Sequence, residues 1–293
     1  MTDVMRQIFD ARAMPPASVY RDTSTWKDPQ ATADNVRARG WTPAPSSLAV
    51  SLEAFEAERA EAGVVAIGLP ARVPNGLWGG ASNHGVCELA AQDPASRIWY
   101  AAVDYMEPVA AVADAVEQGA RGIVVEPYLS AVPAHVDDEA VNPIYDAAQS
   151  LGVPVLVMLG GEYGKDLSWC DPARVERVAA RFPELDVVVV HTAWPLVQEM
   201  VGVAYRQARV WLLPDVYFPG LPGEADLVLA MRTFLRDRVI YGSGYPFCPH
   251  GEQLAAIRAL DLPAACLSAF LYANGARLFG LPESVPTKPK ELS

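Results

Sequence analysis

Three ionisable residues stand directly behind short apolar runs: Glu126 after IVV, His191 after VVVV and Asp215 after VWLLP. An imidazole titrates near neutrality, which makes His191 the candidate general acid or base. Its plainer reading is a ring fixed to the backbone. Asp215 can orient that ring, act as a base itself or anchor a cation, and it can equally cap a turn. Glu126 precedes Pro127 and offers a second carboxylate. Tyr163, Tyr217 and Tyr245 carry hydroxyls that can donate to a developing oxyanion, although tyrosines at such positions also simply pack. The loop RVPNGLWGGASNHG adds Arg72 and Trp78, with glycines that let backbone approach a ligand closely. His84 in the same loop reads as a capping or packing residue, and His135 and His250 fall in loops without a role. No phosphate-binding loop, GxSxG elbow or GxGxxG fingerprint is present.

The elements that must hold these residues alternate between β-branched runs and helical patterns, the mark of a parallel sheet with crossover helices. Strands are expected near residues 7–13, 64–69, 98–103, 122–125, 153–159, 186–190, 210–213 and 238–247. Eight strands with intervening helices make a (β/α)8 barrel, whose chemistry gathers at the carboxyl ends of its strands. The segment 14–45 is long for a connector and reads as a lid. Residues 263–279 form a closing helix. No repeat or domain boundary is visible, so residues 1–293 read as one barrel domain.

Composition narrows the function. The chain has 293 residues, 51% of them hydrophobic, with 35 acidic against 23 basic residues and a net charge of −12. Nucleic acid and anionic membrane need a concentrated positive patch, and none is seen. A small-molecule anion must therefore be drawn by a local cationic site. The four cysteines, Cys87, Cys170, Cys248 and Cys266, show no CxxC pairing and read as buried or idle thiols in a reducing compartment. No signal peptide or membrane span is evident. A cytoplasmic enzyme is expected.

The stretch RVIYGSGYPF resembles the last barrel strand of the amidohydrolase-related family, which contains metal-dependent hydrolases and aromatic-acid decarboxylases. IFDARAMPP, RGIVVEP, GVPVLVMLGG, VVVVHTAWP and FLYANGARLFGL resemble its first, fourth, fifth and sixth strands and its closing helix, in the same order. The resemblance implies metal ligands at two first-strand histidines, a fifth-strand and a sixth-strand histidine and an eighth-strand aspartate. Those positions fall on Arg12, Met14, Met158, His191 and Gly244, so one of five remains. A catalytic zinc needs three protein ligands, and a guanidinium repels a divalent cation. The expectation is a barrel that works without metal or other cofactor.

Arg12 then offers positive charge and a bidentate fork for a carboxylate where the family has metal. Equally, it pairs with an acid such as Glu126. The family implies hydrolysis, decarboxylation or another lyase or cyclisation step on a small organic acid, ester or lactone, and a homodimer. Without metal-activated water, the non-hydrolytic steps gain weight. In this reading Arg12 binds the anionic group, His191 moves protons, and Asp215 and Glu126 assist. A non-catalytic barrel that binds a metabolite or partner is the alternative.

Overall fold

The computed structural model describes residues 7–283. Seven parallel strands follow the chain around the sheet: β1 (Ile8–Asp10), β2 (Val64–Pro70), then β5 (Arg97–Ala102), β6 (Ile123–Val125), β7 (Val155–Met158), β8 (Val187–Val190) and β9 (Val210–Leu213). They are buried on both faces and read as unbroken apolar runs, as parallel strands covered by helices must. The numbers β3 (Arg72–Asn75) and β4 (Gly79–Ala81) belong to an antiparallel hairpin that rises from the end of β2. The sequence reading had a loop there.

The eighth stave is less regular than expected. Val239 bridges Leu212 on one side and Tyr245 bridges Ala13 on the other, without a continuous ladder. Ala11 N–H bonds the Tyr241 carbonyl at 2.9 Å, and the ring closes into a (β/α)8 barrel. The ladder breaks at Gly242-Ser243-Gly244, where Gly244 has φ +60°. Side-chain bonds do the work that the ladder leaves undone. Asp10, fully buried, accepts from the Arg12 N–H (3.0 Å), the Ser243 N–H (2.8 Å), the Ser243 hydroxyl (2.5 Å) and His250 Nε2 (2.8 Å).

The closing helix expected over 263–279 is present and contains a wider turn. It runs as Ala264–Ser268, a wider π-helical turn over Ala269–Ala273, and Asn274–Phe279. The Phe270 carbonyl in the wide turn accepts the Tyr241 N–H at 3.0 Å. Asn274 donates to the carbonyls of Arg236 and Val239, which fixes the eighth stave from outside.

Segment 14–45 is helical, not a loop, with helices at Ser24–Lys27 and Pro29–Ala38. Asp28 caps the second by accepting from Ala31 N–H, with Pro29 at the first helical position. Trp26 Nε1 donates to the Met14 carbonyl and ties these helices to the end of β1. His250 opens the helix His250–Ala259 and is buried, where the sequence reading left it in a loop. No described helix is long and apolar enough to cross a membrane.

Removing the Asp10 carboxylate strands several buried donors at once, each costing about 1–3 kcal/mol. Asp10→Ala should lower the unfolding free energy by roughly 3 kcal/mol, and Ser243→Ala by about 1 kcal/mol, read from urea unfolding midpoints. An Asp10→Ala loss no larger than that of Ser243→Ala would remove the latch role.

Candidate active site

The ends of β1, β6, β8 and β9 deliver Arg12, Glu126, His191 and Asp215 to one mouth of the barrel. Asp215 is 1% exposed and sits between two partners. Its Oδ2 accepts from Arg12 Nη1 at 2.9 Å and its Oδ1 contacts His191 Nδ1 at 2.7 Å. The Val216 N–H adds a bond to Oδ1 at 2.6 Å. Burial alone would raise the Asp215 pKa; the charges of His191 and Arg12 and the bonds from His191 and Val216 outweigh it and hold the carboxyl below its usual range.

His191 is shifted down from 6.5, chiefly because burial disfavours the imidazolium. Asp215 pulls the other way, and the charges of Arg12 and Arg72 add to the lowering. With Asp215 ionised, Nδ1 carries the proton and donates it, which leaves the Nε2 lone pair as the second ring nitrogen. The backbone that presents this pair is strained. His191, Thr192, Ala193 and Asp215 have φ of 68°, 50°, 54° and 34°, left-handed values that non-glycine residues seldom adopt.

A cavity of about 350 Å³ opens in front of the pair. Arg12, Arg72, Trp78, His191 and Tyr217 line it, as do Met14 and Met158. Below it, Val124, Leu156 and Val190 make an apolar floor beside Arg12 and Glu126. Arg12 pairs with Asp215 and not with Glu126. Glu126 instead receives a two-pronged bond from Arg72, with Nε at 3.1–3.3 Å and Nη2 at 2.9 Å. The Arg72 guanidinium also lies 5.2 Å from the Trp78 ring centre.

Two of the named tyrosines lie away from this wall. Tyr245 is 1% exposed, its hydroxyl bonds Ser46 Oγ at 2.6 Å, and its ring stacks on His250. Tyr163 is buried, accepts the Tyr128 N–H at 3.0 Å and packs behind Trp78. Both are supports and not cavity-lining groups in this structure. The helical segment contributes residues that the sequence reading missed: Thr32, Asn35 and Arg39 line the cavity. Their one signal was position within a segment too long for a connector. His84 is exposed and faces Glu88 at 3.4 Å.

The donor set does not fit a catalytic metal. Both Asp215 oxygens and both Glu126 oxygens already accept from protein donors, and His191 Nδ1 faces Asp215. His191 Nε2 and the Glu162 carboxylate are the donors left on the cavity lining, where three are needed. At Gly244 a Cβ would lie 2.3 Å from Val216 Cγ1, so no side chain enters there without rearrangement. Among the described residues no cluster of three or more His, Cys, Asp or Glu is arranged to hold a metal ion.

Comparisons place this geometry among known proteins. The sequence profile described as Amidohydrolase matches residues 79–281. No curated protein sequence matches the chain. An uncharacterized TIM-barrel protein from Bordetella bronchiseptica is 33% identical, with a TM-score of 0.90 over 94% of this chain and 99% of its own. A 5-carboxyvanillate decarboxylase from Novosphingobium aromaticivorans, complexed with manganese and 4-hydroxy-3-methoxy-5-nitrobenzoic acid, is 15% identical, with a TM-score of 0.62 over 94% and 96%. A probable 2-pyrone-4,6-dicarboxylic acid hydrolase from Acinetobacter baumannii, with citric acid bound, is 14% identical, with a TM-score of 0.61 over 94% and 98%. The last two share the fold.

The shift at His191 has a definite sign. Its imidazole should titrate below 6.5. In Asp215→Asn, which removes the influence that raises it, the midpoint should fall further. Nitrogen-15 NMR of the imidazoles over pH 4–8 (roughly the histidine range) reads both values. A midpoint above the ordinary histidine value would overturn the assignment of a neutral ring.

Proposed function

The chain belongs to the amidohydrolase family, and from that premise we propose that it is an enzyme that hydrolyses an ester or lactone bond in a small organic acid without a metal ion. The observation that carries this reading is the buried Arg12–Asp215–His191 chain, with the second imidazole nitrogen left on the cavity side. Arg12 neutralises Asp215, so the carboxylate can orient the imidazole without having to protonate it. A neutral imidazole near pH 7 is a base.

The step is an acyl transfer to water. His191 Nε2 takes a proton from a water molecule, and the resulting hydroxide adds to the substrate carbonyl. The oxyanion forms in the positive field of Arg12 and Arg72, the same field that disfavours the imidazolium before reaction. Collapse breaks the bond to the leaving oxygen, which takes the proton back from His191. The products are an acid and an alcohol, joined in one molecule when the substrate is a lactone. Arg12 orients the substrate's carboxylate, and the apolar floor receives its carbon frame.

Sequence reasoning gave weight to decarboxylation because metal-activated water is missing. The lowered basicity of His191 weighs against that. Decarboxylation ends in protonation of a carbanion by an acid, and this imidazole is short of its acidic form at neutral pH. Hydrolysis starts from the base, which is the form at hand. The alternative of a non-catalytic barrel is disfavoured by the strained backbone at His191, Thr192, Ala193 and Asp215, since such strain clusters at active sites.

His191→Asn should reduce kcat/KM on a panel of carboxylated lactones and aryl esters by about 10²-fold or more, with an unchanged circular dichroism spectrum and melting temperature. The wild-type kcat/KM should rise with pH to a plateau, with its midpoint below 6.5. Full activity in His191→Asn would exclude the mechanism. Absence of turnover in the wild type across the panel, with acids still bound, would favour the binding barrel.

A further inference from the structure

Three guanidiniums reach the cavity, and two of them are matched by carboxylates. Arg72 is matched by Glu126 and Arg12 by Asp215. The third, Arg39, ends the helix Pro29–Ala38 and has no carboxylate partner among the described residues. Its Nε donates to Asn35 Oδ1 at 2.9 Å, one turn back on the same helix. Its guanidinium carbon lies 5.4 Å from the Tyr217 ring centre and 5.7 Å from that of Phe247. Tyr217 in turn stacks on Trp194 at 4.7 Å and 9°.

These contacts hold the head of Arg39 in place without neutralising it. Aromatic faces and an amide oxygen position a guanidinium, but the charge still seeks an anion. A purely structural role, fastening the helix to the β9 loop, rests on a bond to the Tyr217 hydroxyl and on the bond from Nη1 to the Val216 carbonyl. At 3.4 Å the bond to the carbonyl is long for an N–H donor. Glu162 lines the same cavity and forms no ion pair with Arg39 among the described residues.

We propose that Arg39 is a second anion-binding residue and that the substrate carries two carboxylates, one held by Arg12 at the barrel end and one by Arg39 under the helical cover. The assignment rests on the reading of this cavity as a site for an organic acid, and it adds the substrate class. It also assigns the segment 14–45 a part in specificity, because Arg39, Asn35 and Thr32 all lie on its second helix. A dicarboxylate bridges cover and barrel, whereas a monocarboxylate engages the barrel alone.

Isothermal titration calorimetry at pH 7.5 (about neutral, where both acids are ionised) with succinate, glutarate and butyrate tests this on wild type, Arg39→Met and Arg12→Lys. Arg12→Lys keeps the charge beside Asp215 and removes the fork, so the fold is expected to survive, which the melting temperature checks. In wild type a dicarboxylate should bind at least about tenfold tighter than butyrate, the usual worth of one more charge-assisted bond. Arg39→Met should erase that advantage and leave butyrate affinity unchanged. Equal binding of all three acids by wild type, or a dicarboxylate advantage that survives Arg39→Met, overturns the proposal. If Arg12→Lys weakens every acid in either of those cases, the reading of the cavity stands alone. If Arg12→Lys changes nothing, or no acid binds to wild type, that reading falls too.

Discussion

The site depends on one buried charge. Asp215 is withdrawn from water at the end of β9, and an isolated carboxylate there would cost several kcal/mol and would take up a proton instead. His191 and Arg12, one on each carboxylate oxygen, prevent this together with the Val216 N–H. A carboxylate facing an imidazole commonly draws the ring toward its protonated form; here the guanidinium already satisfies the carboxylate, and burial keeps the ring neutral. Orientation and basicity are thus set by different partners. Asp215 fixes the tautomer, and Arg12 leaves the lone pair free.

Arg12 must itself be held, and a second buried carboxylate does so. Asp10 accepts the Arg12 N–H while also binding Ser243 and His250, so the residue that presents the guanidinium is fixed by the bonds that close the barrel. The two aspartates act on different parts of Arg12, one on its backbone and one on its side chain. On the other flank, the ladder between β8 and β9 is regular up to Val190 and Leu213, and the left-handed residues begin immediately beyond it. Strain of about 1–3 kcal/mol per residue is tolerable where such a ladder over-determines the position.

The strands were legible because parallel strands covered on both faces become continuous β-branched runs, and VVVV or VWLL has few other interpretations. Strand ends in turn pointed to Arg12, Glu126, His191 and Asp215. Pairing was not legible, since nothing in the chain order says that Arg12 meets Asp215 while Glu126 meets Arg72. Nor was the direction of Tyr245, whose hydroxyl bonds Ser46 and whose ring stacks on His250. Arg39 escaped notice for a different reason. Its helix is short and polar, with only Thr32, Ala33 and Val36 buried, too few for a periodic apolar stripe, and the contacts of Arg39 with Tyr217 and Phe247 come from distant parts of the chain. The break in the eighth stave was legible in Gly242-Ser243-Gly244, whereas the reduction of 238–241 to an isolated bridge at Val239 was not.

The resemblance places an aspartate where this chain has Gly244, and the structure explains why the exchange is not a simple loss. A Cβ at that position would be 3.5 Å from Arg12 Nη1 and 3.5 Å from Asp215 Oδ2. A carboxylate therefore still reaches this part of the mouth, but it arrives from β9 instead of the eighth stave, and it faces a guanidinium instead of a cation. Restoring aspartate at 244 alone would press a side chain into Val216, require a left-handed backbone of a residue that carries a Cβ, and set two carboxylates side by side. The arginine, the glycine and the displaced aspartate form one electrostatic unit, in which a fixed monovalent charge and a neutral imidazole stand where the family has a metal and its ligands.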